Sequence, residues 1–218
     1  MPVDLAEMLA PGRCAVLTME IQRGVVGDLS SFPELAAAVD ASGLVAATAR
    51  LLDAARAQRV PVVHCTAGFL ADRQGSPANA PLITAMLRRP EHLLESTAAV
   101  ELVPELGAQP TDRISHRRHG VAPFGGTDLH AQLRSLGVDC VVATGVSLNL
   151  GIPGLCVEAV DLGYRVVVPS DAVTGIPASF AEAVLRGTVA LVATVTTVDD
   201  VIGAFAAARP DQDAESTS

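Results

Sequence analysis

Ala143-Thr144-Gly145-Val146-Ser147-Leu148-Asn149-Leu150-Gly151 carries the clearest fold signal in this 218-residue chain. It follows the apolar run 138–142 and precedes a helical pattern that ends at Gly163. A strand that turns sharply into a helix places backbone N–H groups and the first helical residues at the carboxyl edge of a parallel sheet, where open α/β folds bind their ligands. The stretch therefore predicts an α/β fold with a site at this turn.

Apolar runs alternate with longer helical patterns on both sides of this turn, as they do in βαβ units. The run before the turn is apolar throughout, which is typical of a strand that is buried on both faces. The pattern predicts a three-layer α/β/α sandwich around a mostly parallel six-stranded sheet. The predicted strands are 14–19, 60–65, 113–115, 138–144, 164–169 and 191–196, and the predicted helices are 33–58, 82–87, 127–136, 150–162, 179–186 and 198–207.

The length and net charge of the chain limit the number of domains and the kinds of partner to be expected. Residues 1–208 are predicted to form a single domain, followed by a polar tail, 209–218, that we expect to be disordered. The net charge of −9 argues against nucleic acid or an anionic membrane surface as the main partner. The first residues carry acid where a signal peptide needs base, and no apolar stretch is long enough to span a bilayer. We therefore expect a cytoplasmic protein.

The four cysteines show no C-x-x-C spacing, so the sequence does not suggest a zinc site. Three fall in predicted strands and one in a predicted helix. This distribution indicates small buried apolar residues in a reducing compartment. The cysteines are Cys14, Cys65, Cys140 and Cys156.

Four segments, in order along the chain, resemble the isochorismatase-like hydrolase superfamily, which includes nicotinamidases, N-carbamoylsarcosine amidases and isochorismatases. No one of them is decisive, but four in the right order are a specific signal. The resemblance implies the predicted sandwich fold, a small-molecule substrate and a homo-oligomer, a dimer or larger. The four segments are 16–22, 124–129, 145–150 and 161–173.

The superfamily's thiol enzymes use an aspartate, a lysine and a cysteine, and the resemblance places different residues at all three positions. The aspartate position is Glu20 and the cysteine position is Gly151. The lysine position, counted back from Thr127, falls on Arg118. The register of that count is open, and the neighbouring candidates are His116, Arg117 and His119.

A glycine at residue 151 excludes a covalent acyl-enzyme at that position, because no sulfur is present to attack a carbonyl. Cys65 and Cys156 are the lesser alternatives as nucleophiles. The isochorismatase branch of the superfamily also has glycine there and cleaves a vinyl ether by protonation from a carboxylic acid. Glu20 is the acid placed for this role, if burial keeps it partly protonated. An arginine beside Glu20 would instead favour the carboxylate, which suits a general base or a structural ion pair.

The basic cluster 113–119 and the turn 145–151 supply the other candidate site residues. Arginine's forked donors suit a substrate carboxylate, although a solvated loop would give the same pattern. Asn149 either offers its amide to a ligand or caps the following helix. The resemblance also suggests a cis peptide bond between Val146 and Ser147. The predicted substrate-binding residues are Arg117, His119, Phe124, Val146, Ser147 and Asn149.

Two other kinds of site fit poorly. The turn lacks the final glycine of the G-x-S-x-G elbow, and all five histidines precede Ser147, so a serine triad is disfavoured. His64 lacks the D-x-H pattern of the nicotinamidase metal site, and we expect it to be buried or hydrogen-bonded. The chain is therefore predicted to need no metal and no organic cofactor.

Two function hypotheses follow. The first is a hydrolase of the isochorismatase type that acts on a small anionic metabolite without a thiol nucleophile. In this hypothesis Glu20 is the acid or base, the bond is a vinyl ether or a related one, and Arg118 orients charge. The second is a catalytically inactive relative that binds a small ligand or a protein partner.

Overall fold

Seven strands form one sheet, and all of its strand pairs are parallel. The computed structural model describes residues 4–208. The strand order is β3-β2-β1-β4-β5-β7, with β6 paired to the end of β4. The strands are β1 Cys14–Met19, β2 Val62–Ala67, β3 Arg113–Arg117, β4 Cys140–Val146, β5 Arg165–Pro169, β6 Val173–Thr174 and β7 Thr194–Thr196.

Helices cover both faces of the sheet, which confirms the predicted sandwich class. Four of the helices, α1, α2, α3 and α8, contribute to one apolar cluster. The other cluster lies on the opposite face and includes residues of α5, α6 and α7. The helices are α1 Leu5–Met8, α2 Pro33–Ser42, α3 Leu44–Ala57, α4 Pro81–Leu87, α5 Leu129–Ser135, α6 Gly151–Asp161, α7 Ala178–Gly187 and α8 Val198–Ala207.

The central strands are apolar on both faces because both faces pack against helices. Every residue of β1, β2 and β4 is buried. Along β1, Cys14 and Val16 pack on the α3 side, whereas Ala15 and Leu17 pack on the α6 side. This alternation follows from the two-residue period of a strand, and it explains why the sequence shows continuous apolar runs.

The sheet has one strand more than the six predicted. β6 is only two residues long, and it pairs Val173 with Gly145 and Thr174 with Val146. A strand this short leaves no period-two pattern in the sequence. By pairing with the last two residues of β4, β6 fixes the position from which the chain turns into α6.

The long predicted helix 33–58 is two helices, so that prediction is wrong. The chain breaks at Gly43, whose φ is +68°, and the axes of α2 and α3 differ in direction by 60°. The left-handed conformation ends α2, because the Gly43 amide turns back to the Asp40 carbonyl. Apolar residues continue at helical spacing on both sides of the break, so periodicity alone did not reveal it.

Other boundaries differ by a few residues. The second and fourth strands each begin and end two residues later than predicted, and β3 continues to Arg117. The last helix has the predicted bounds. The predicted tail 209–218 lies outside the described residues, and among those described no single helix is long and apolar enough to cross a membrane.

His64 is buried and hydrogen-bonded, as predicted. Its Nδ1 lies 2.8 Å from the Thr18 hydroxyl, and its Nε2 lies 3.3 Å from Asp112. Asp112 also accepts a 2.7 Å hydrogen bond from Arg56 of α3. The network ties the sheet to α3 and uses both nitrogens of the ring, which leaves neither for a metal ion.

His92 gives stability a pH dependence of predictable sign. The side chain is 3% exposed, its Nδ1 lies 2.7 Å from the Ser31 hydroxyl, and its Nε2 has no partner among residues 4–208. Burial lowers the pKa of His92 from 6.5 to about 4. Between pH 6.5 and about pH 4, His92 is therefore protonated in the unfolded chain but neutral in the folded chain. The free energy of unfolding consequently falls as the pH falls through this range.

We expect the His92→Leu variant to lose stability less steeply on acidification than the wild type. Between pH 7.5 and pH 4, the wild type is expected to lose roughly 3 kcal/mol more of its free energy of unfolding than the variant loses. Above pH 7 the two proteins respond alike, because His92 is neutral in both the folded and the unfolded chain. Urea unfolding at pH 7.5, 5.5 and 4.5 measures it. Parallel stability curves for the two proteins would contradict the assignment.

Candidate active site

A cavity of about 520 Å³ opens at the carboxyl edge of the sheet, where ligands bind in open α/β folds. Three strand ends meet there: Glu20 directly follows β1, Arg117 ends β3, and Ser147 directly follows β4. Gly151, the first residue of α6, completes this group. Four residues of the turn 145–151 therefore line a cavity at the place where the sequence predicts a site.

Glu20 is held in an unusual backbone conformation. Its φ is +52°, in the left-handed region that non-glycine residues enter at a cost of about 1 kcal/mol or more. Its amide donates a 3.0 Å hydrogen bond to the carbonyl of Cys65 in β2. The side chain is 19% exposed and lines the cavity. The turn at Glu20 thus ends β1 and places a carboxylate at the sheet edge.

Gln22 fixes the chain that follows Glu20. Its side-chain amide accepts a 2.8 Å hydrogen bond from the Ala67 amide and donates a 2.9 Å bond to the Ala67 carbonyl. It also donates a 2.9 Å bond to the carbonyl of Val100. The residues on both sides of Glu20 are therefore anchored to the end of β2, which limits how far its carboxylate can move.

Arg117 is the direct partner of Glu20. Its guanidinium is 5% exposed, and Nη2 donates to Oε1 of Glu20. Burial lowers the pKa of Arg117 to about 10, which leaves it charged at neutral pH. Its Nη1 is buried without a hydrogen-bond partner among the described residues. The Glu20–Arg117 ion pair therefore lies at the cavity, and the Nη1 of Arg117 is enclosed by protein.

The structure corrects the predicted role of Arg118. Its guanidinium is 49% exposed, and Nη2 lies 2.9 Å from a carboxylate oxygen of Glu95, outside the cavity lining. Successive side chains of a strand point to opposite faces, so a shift of one residue separates the buried Arg117 from its exposed neighbour. His116, the other alternative on β3, also faces away and bonds to Thr66 and Glu95.

The β4–α6 turn has the cis peptide bond predicted between Val146 and Ser147. Ser147 lines the cavity, whereas the Val146 side chain is fully buried and does not line it. Asn149 lines the cavity too, but both ends of its amide bond to the backbone of Ile176. Asn149 therefore braces the adjacent loop, and the structure gives it neither a helix-capping bond nor a free amide.

Two further predicted binding residues are not in the cavity lining. Phe124 is 7% exposed and stacks on Tyr164 with the ring centroids 5.9 Å apart, so it belongs to the core. His119 lies against Gly126, within the loop that connects β3 to α5. Both follow β3 in a loop that turns back over α6, which sequence spacing alone does not reveal.

Gly151 has little space behind its Cα. A Cβ built there lies 3.0 Å from the Val146 carbonyl oxygen and 3.3 Å from the terminal methyl of Met19. The first contact is tighter than most, and the second involves the end of a flexible side chain. Residue 151 therefore tolerates a small side chain only after a slight adjustment of these neighbours.

None of the four cysteines is available as a nucleophile in this structure. Each is at most 1% exposed, and burial raises the pKa of each thiol to about 12. A thiol with such a pKa is almost entirely protonated at neutral pH and reacts slowly. This holds for Cys65 and Cys156, the two alternatives considered from the sequence.

Apolar residues of the cavity wall were not predicted from the sequence. They come from α2, α4, the loop before α7 and α7 itself. Leu82, Ile83 and Met86 belong to α4, which the sequence predicts as a helix over 82–87 without indicating that it lines the site. Their helical spacing was the one signal that could have identified them. The main wall residues are Phe32, Leu35, Leu82, Ile83, Met86, Ile176 and Phe180.

No metal centre is evident in residues 4–208, where no three His, Cys, Asp or Glu side chains converge in a way that could hold an ion. The acidic side chain at the cavity is Glu20, and its partner is a cation. The charge at this site is therefore balanced by Arg117.

Comparison with known proteins identifies similarities that extend over most of the chain. Residues 14–200 match the isochorismatase domain. The chain is 28% identical over 195 residues to YecD of Escherichia coli O157:H7, described as an uncharacterized isochorismatase family protein, with 88% of this chain and 95% of that protein covered. It is 27% identical over 222 aligned positions to the ureidoacrylate amidohydrolase RutB of Agrobacterium fabrum, covering 94% and 95%.

A solved structure supports the same similarity. An isochorismatase family protein from Burkholderia thailandensis superimposes with a TM-score of 0.73 at 27% sequence identity. The superposition covers 90% of this chain and 99% of that one. The fold similarity therefore includes the sheet edge that carries the cavity.

Proposed function

Because this chain belongs to the isochorismatase family of hydrolases, we propose that it hydrolyses a small organic molecule with water as the direct nucleophile. Glu20 is the proposed acid–base residue, Arg117 holds its carboxylate, and Gly151 occupies the position of the thiol in the family's cysteine enzymes. The proposal rests chiefly on one observation: the Glu20–Arg117 ion pair lines the same cavity as a residue without a side chain.

The buried guanidinium favours the ionised form of the Glu20 carboxyl, because an adjacent positive charge stabilises a carboxylate. Glu20 is therefore better suited to accept a proton than to protonate a vinyl ether. In the proposed step, the carboxylate takes a proton from water while the hydroxide adds to an electrophilic carbon of the substrate. The proton then passes from Glu20 to the leaving group as the bond to that group breaks.

Negative charge develops on the substrate oxygen during this addition. Two lining residues with hydrogen-bond donors, Arg117 and Ser147, are the proposed stabilising groups. Donors positioned in advance stabilise a developing charge more effectively than mobile water does. RutB is named as an amidohydrolase, and water addition to an amide carbonyl would use the same arrangement.

A second candidate function, ligand binding without turnover, is favoured by one feature. The ion pair that orients Glu20 also occupies one of its carboxylate oxygens, and a site used only for binding needs no free base. The two candidates make different predictions about chemistry but the same prediction about binding.

A panel of amides, together with isochorismate as a vinyl ether, separates them. We expect ammonia release from an amide and no thiol-dependent burst. Pyruvate release from isochorismate would instead assign Glu20 to the general-acid role. Retained ligand binding with no product from any compound would support the non-catalytic function and contradict the hydrolase.

A further inference from the structure

The cavity wall is mostly apolar. Ten of the sixteen lining residues are aliphatic, aromatic or methionine. They surround the polar end formed by Glu20, Arg117 and Ser147. Leu82 and Phe180 also remain 43% and 48% exposed, which is high for large apolar side chains. An apolar surface that extends from the cavity to solvent favours a ligand with a matching apolar portion.

The polar end of the cavity has no unpaired charge among the described lining residues. The only ionisable lining residues, among those described, are Glu20 and Arg117, and they neutralise each other. Asn149 bonds to the backbone through both ends of its amide. A ligand carboxylate at a second position would therefore be desolvated without a cation to pair with it, which is costly.

We propose that the substrate is a monofunctional hydrophobic carbonyl compound, an amide or ester with one polar end and an uninterrupted apolar body. The polar end lies against Arg117 and Ser147, and the body lies between α4 and α7. This inference rests on the proposed function for the reaction at the polar end. It narrows the small anionic metabolite expected from the sequence, and it places dicarboxylates, including isochorismate, among poor ligands.

Chain length gives the first test. We expect the dissociation constants of butanamide, hexanamide and octanamide, measured by calorimetry or ligand-observed NMR, to fall about threefold to fourfold for each added methylene. Suberate, a dicarboxylate with the same number of carbons as octanamide, is expected to bind at least tenfold more weakly than octanamide. Affinity that is independent of chain length, or suberate binding as tightly as octanamide, would overturn the proposal.

A pair of matched variants locates the apolar body. Leu82→Ser changes an exposed leucine of the cavity lining, and Leu191→Ser changes a leucine that is 80% exposed and does not line the cavity. The first is expected to weaken octanamide binding about fivefold or more and to flatten the chain-length dependence, whereas the second leaves both unchanged. Phe180→Ser provides the same test from α7. Equal effects of the lining and control variants would refute the placement.

These experiments distinguish failure of the substrate-class inference from failure of the proposed hydrolase function. Tight, length-dependent binding of octanamide without ammonia release supports the substrate-class inference and contradicts the hydrolase. Hydrolysis of amides with a rate and an affinity that do not depend on chain length supports the hydrolase function and contradicts the substrate-class inference.

Discussion

Replacing Glu20 with glutamine is expected to lower kcat/KM by about a thousandfold, within the range that general acid–base residues contribute. Glutamine keeps the size of the side chain but cannot take a proton from water. The loss is expected in kcat, with KM for a neutral amide little changed. Steady-state kinetics on the substrate identified by the amide panel measure it. Activity within a fewfold of the wild type would exclude Glu20 as the base.

The same substitution carries a stability cost that must be separated from the loss of chemistry. Arg117 is 5% exposed, and removing its partner leaves a buried charge without compensation, which costs roughly 3 kcal/mol. The control is the double variant Glu20→Gln with Arg117→Met, which removes both charges. We expect it to recover most of the lost stability in urea unfolding while remaining inactive. An active double variant would show that the ion pair is structural only.

Replacing Gly151 with cysteine is expected to create a reactive thiol in a protein whose own thiols are inert. The new side chain would lie at the first residue of α6, in the cavity that also holds Arg117. A helix N-terminus and a nearby cation both favour the thiolate. We expect one equivalent of iodoacetamide to react rapidly at pH 7 under native conditions, whereas the wild type, with four buried cysteines, reacts negligibly.

Gly203→Cys is the matched control. Gly203 lies in α8, and a Cβ built there meets nothing within 4 Å, so its cysteine would be an ordinary exposed thiol. We expect the Gly151→Cys thiol to react about tenfold faster than this control at pH 7, with the difference disappearing above pH 9. Equal rates at pH 7 would mean that the cavity does not stabilise a negative charge at residue 151.

The architecture was predictable because several separate segments of the chain each show the same pattern of an apolar strand followed by a helix. The apolar runs at β1, β4 and β5 are buried on both faces, so composition alone indicates a parallel sheet between helices. Gly43 shows where this reasoning stops. A single glycine in the left-handed conformation divides a continuous helical pattern, and nothing in the spacing distinguishes it from a glycine tolerated inside a helix.

Strand ends predict where the candidate site lies, and the family resemblance supplies its proposed roles. Glu20 ends an apolar strand and Ser147 follows another, whereas the resemblance identifies Gly151 as the cysteine position; the roles of these residues remain predictions. The choice between Arg117 and Arg118 depends on the pleat of β3, whose exposed first residues give no clear alternation. The walls from α4 and α7 depend on tertiary packing of segments far apart in the chain, which spacing does not encode.

We propose that water, and not a thiol, attacks the substrate, and the intact mass of the protein quenched during steady-state turnover tests this step. We expect the unmodified mass at every time point, because no covalent intermediate forms. A mass increase equal to the acyl portion of the substrate, mapped to Cys65, Cys156 or any other cysteine, would contradict it.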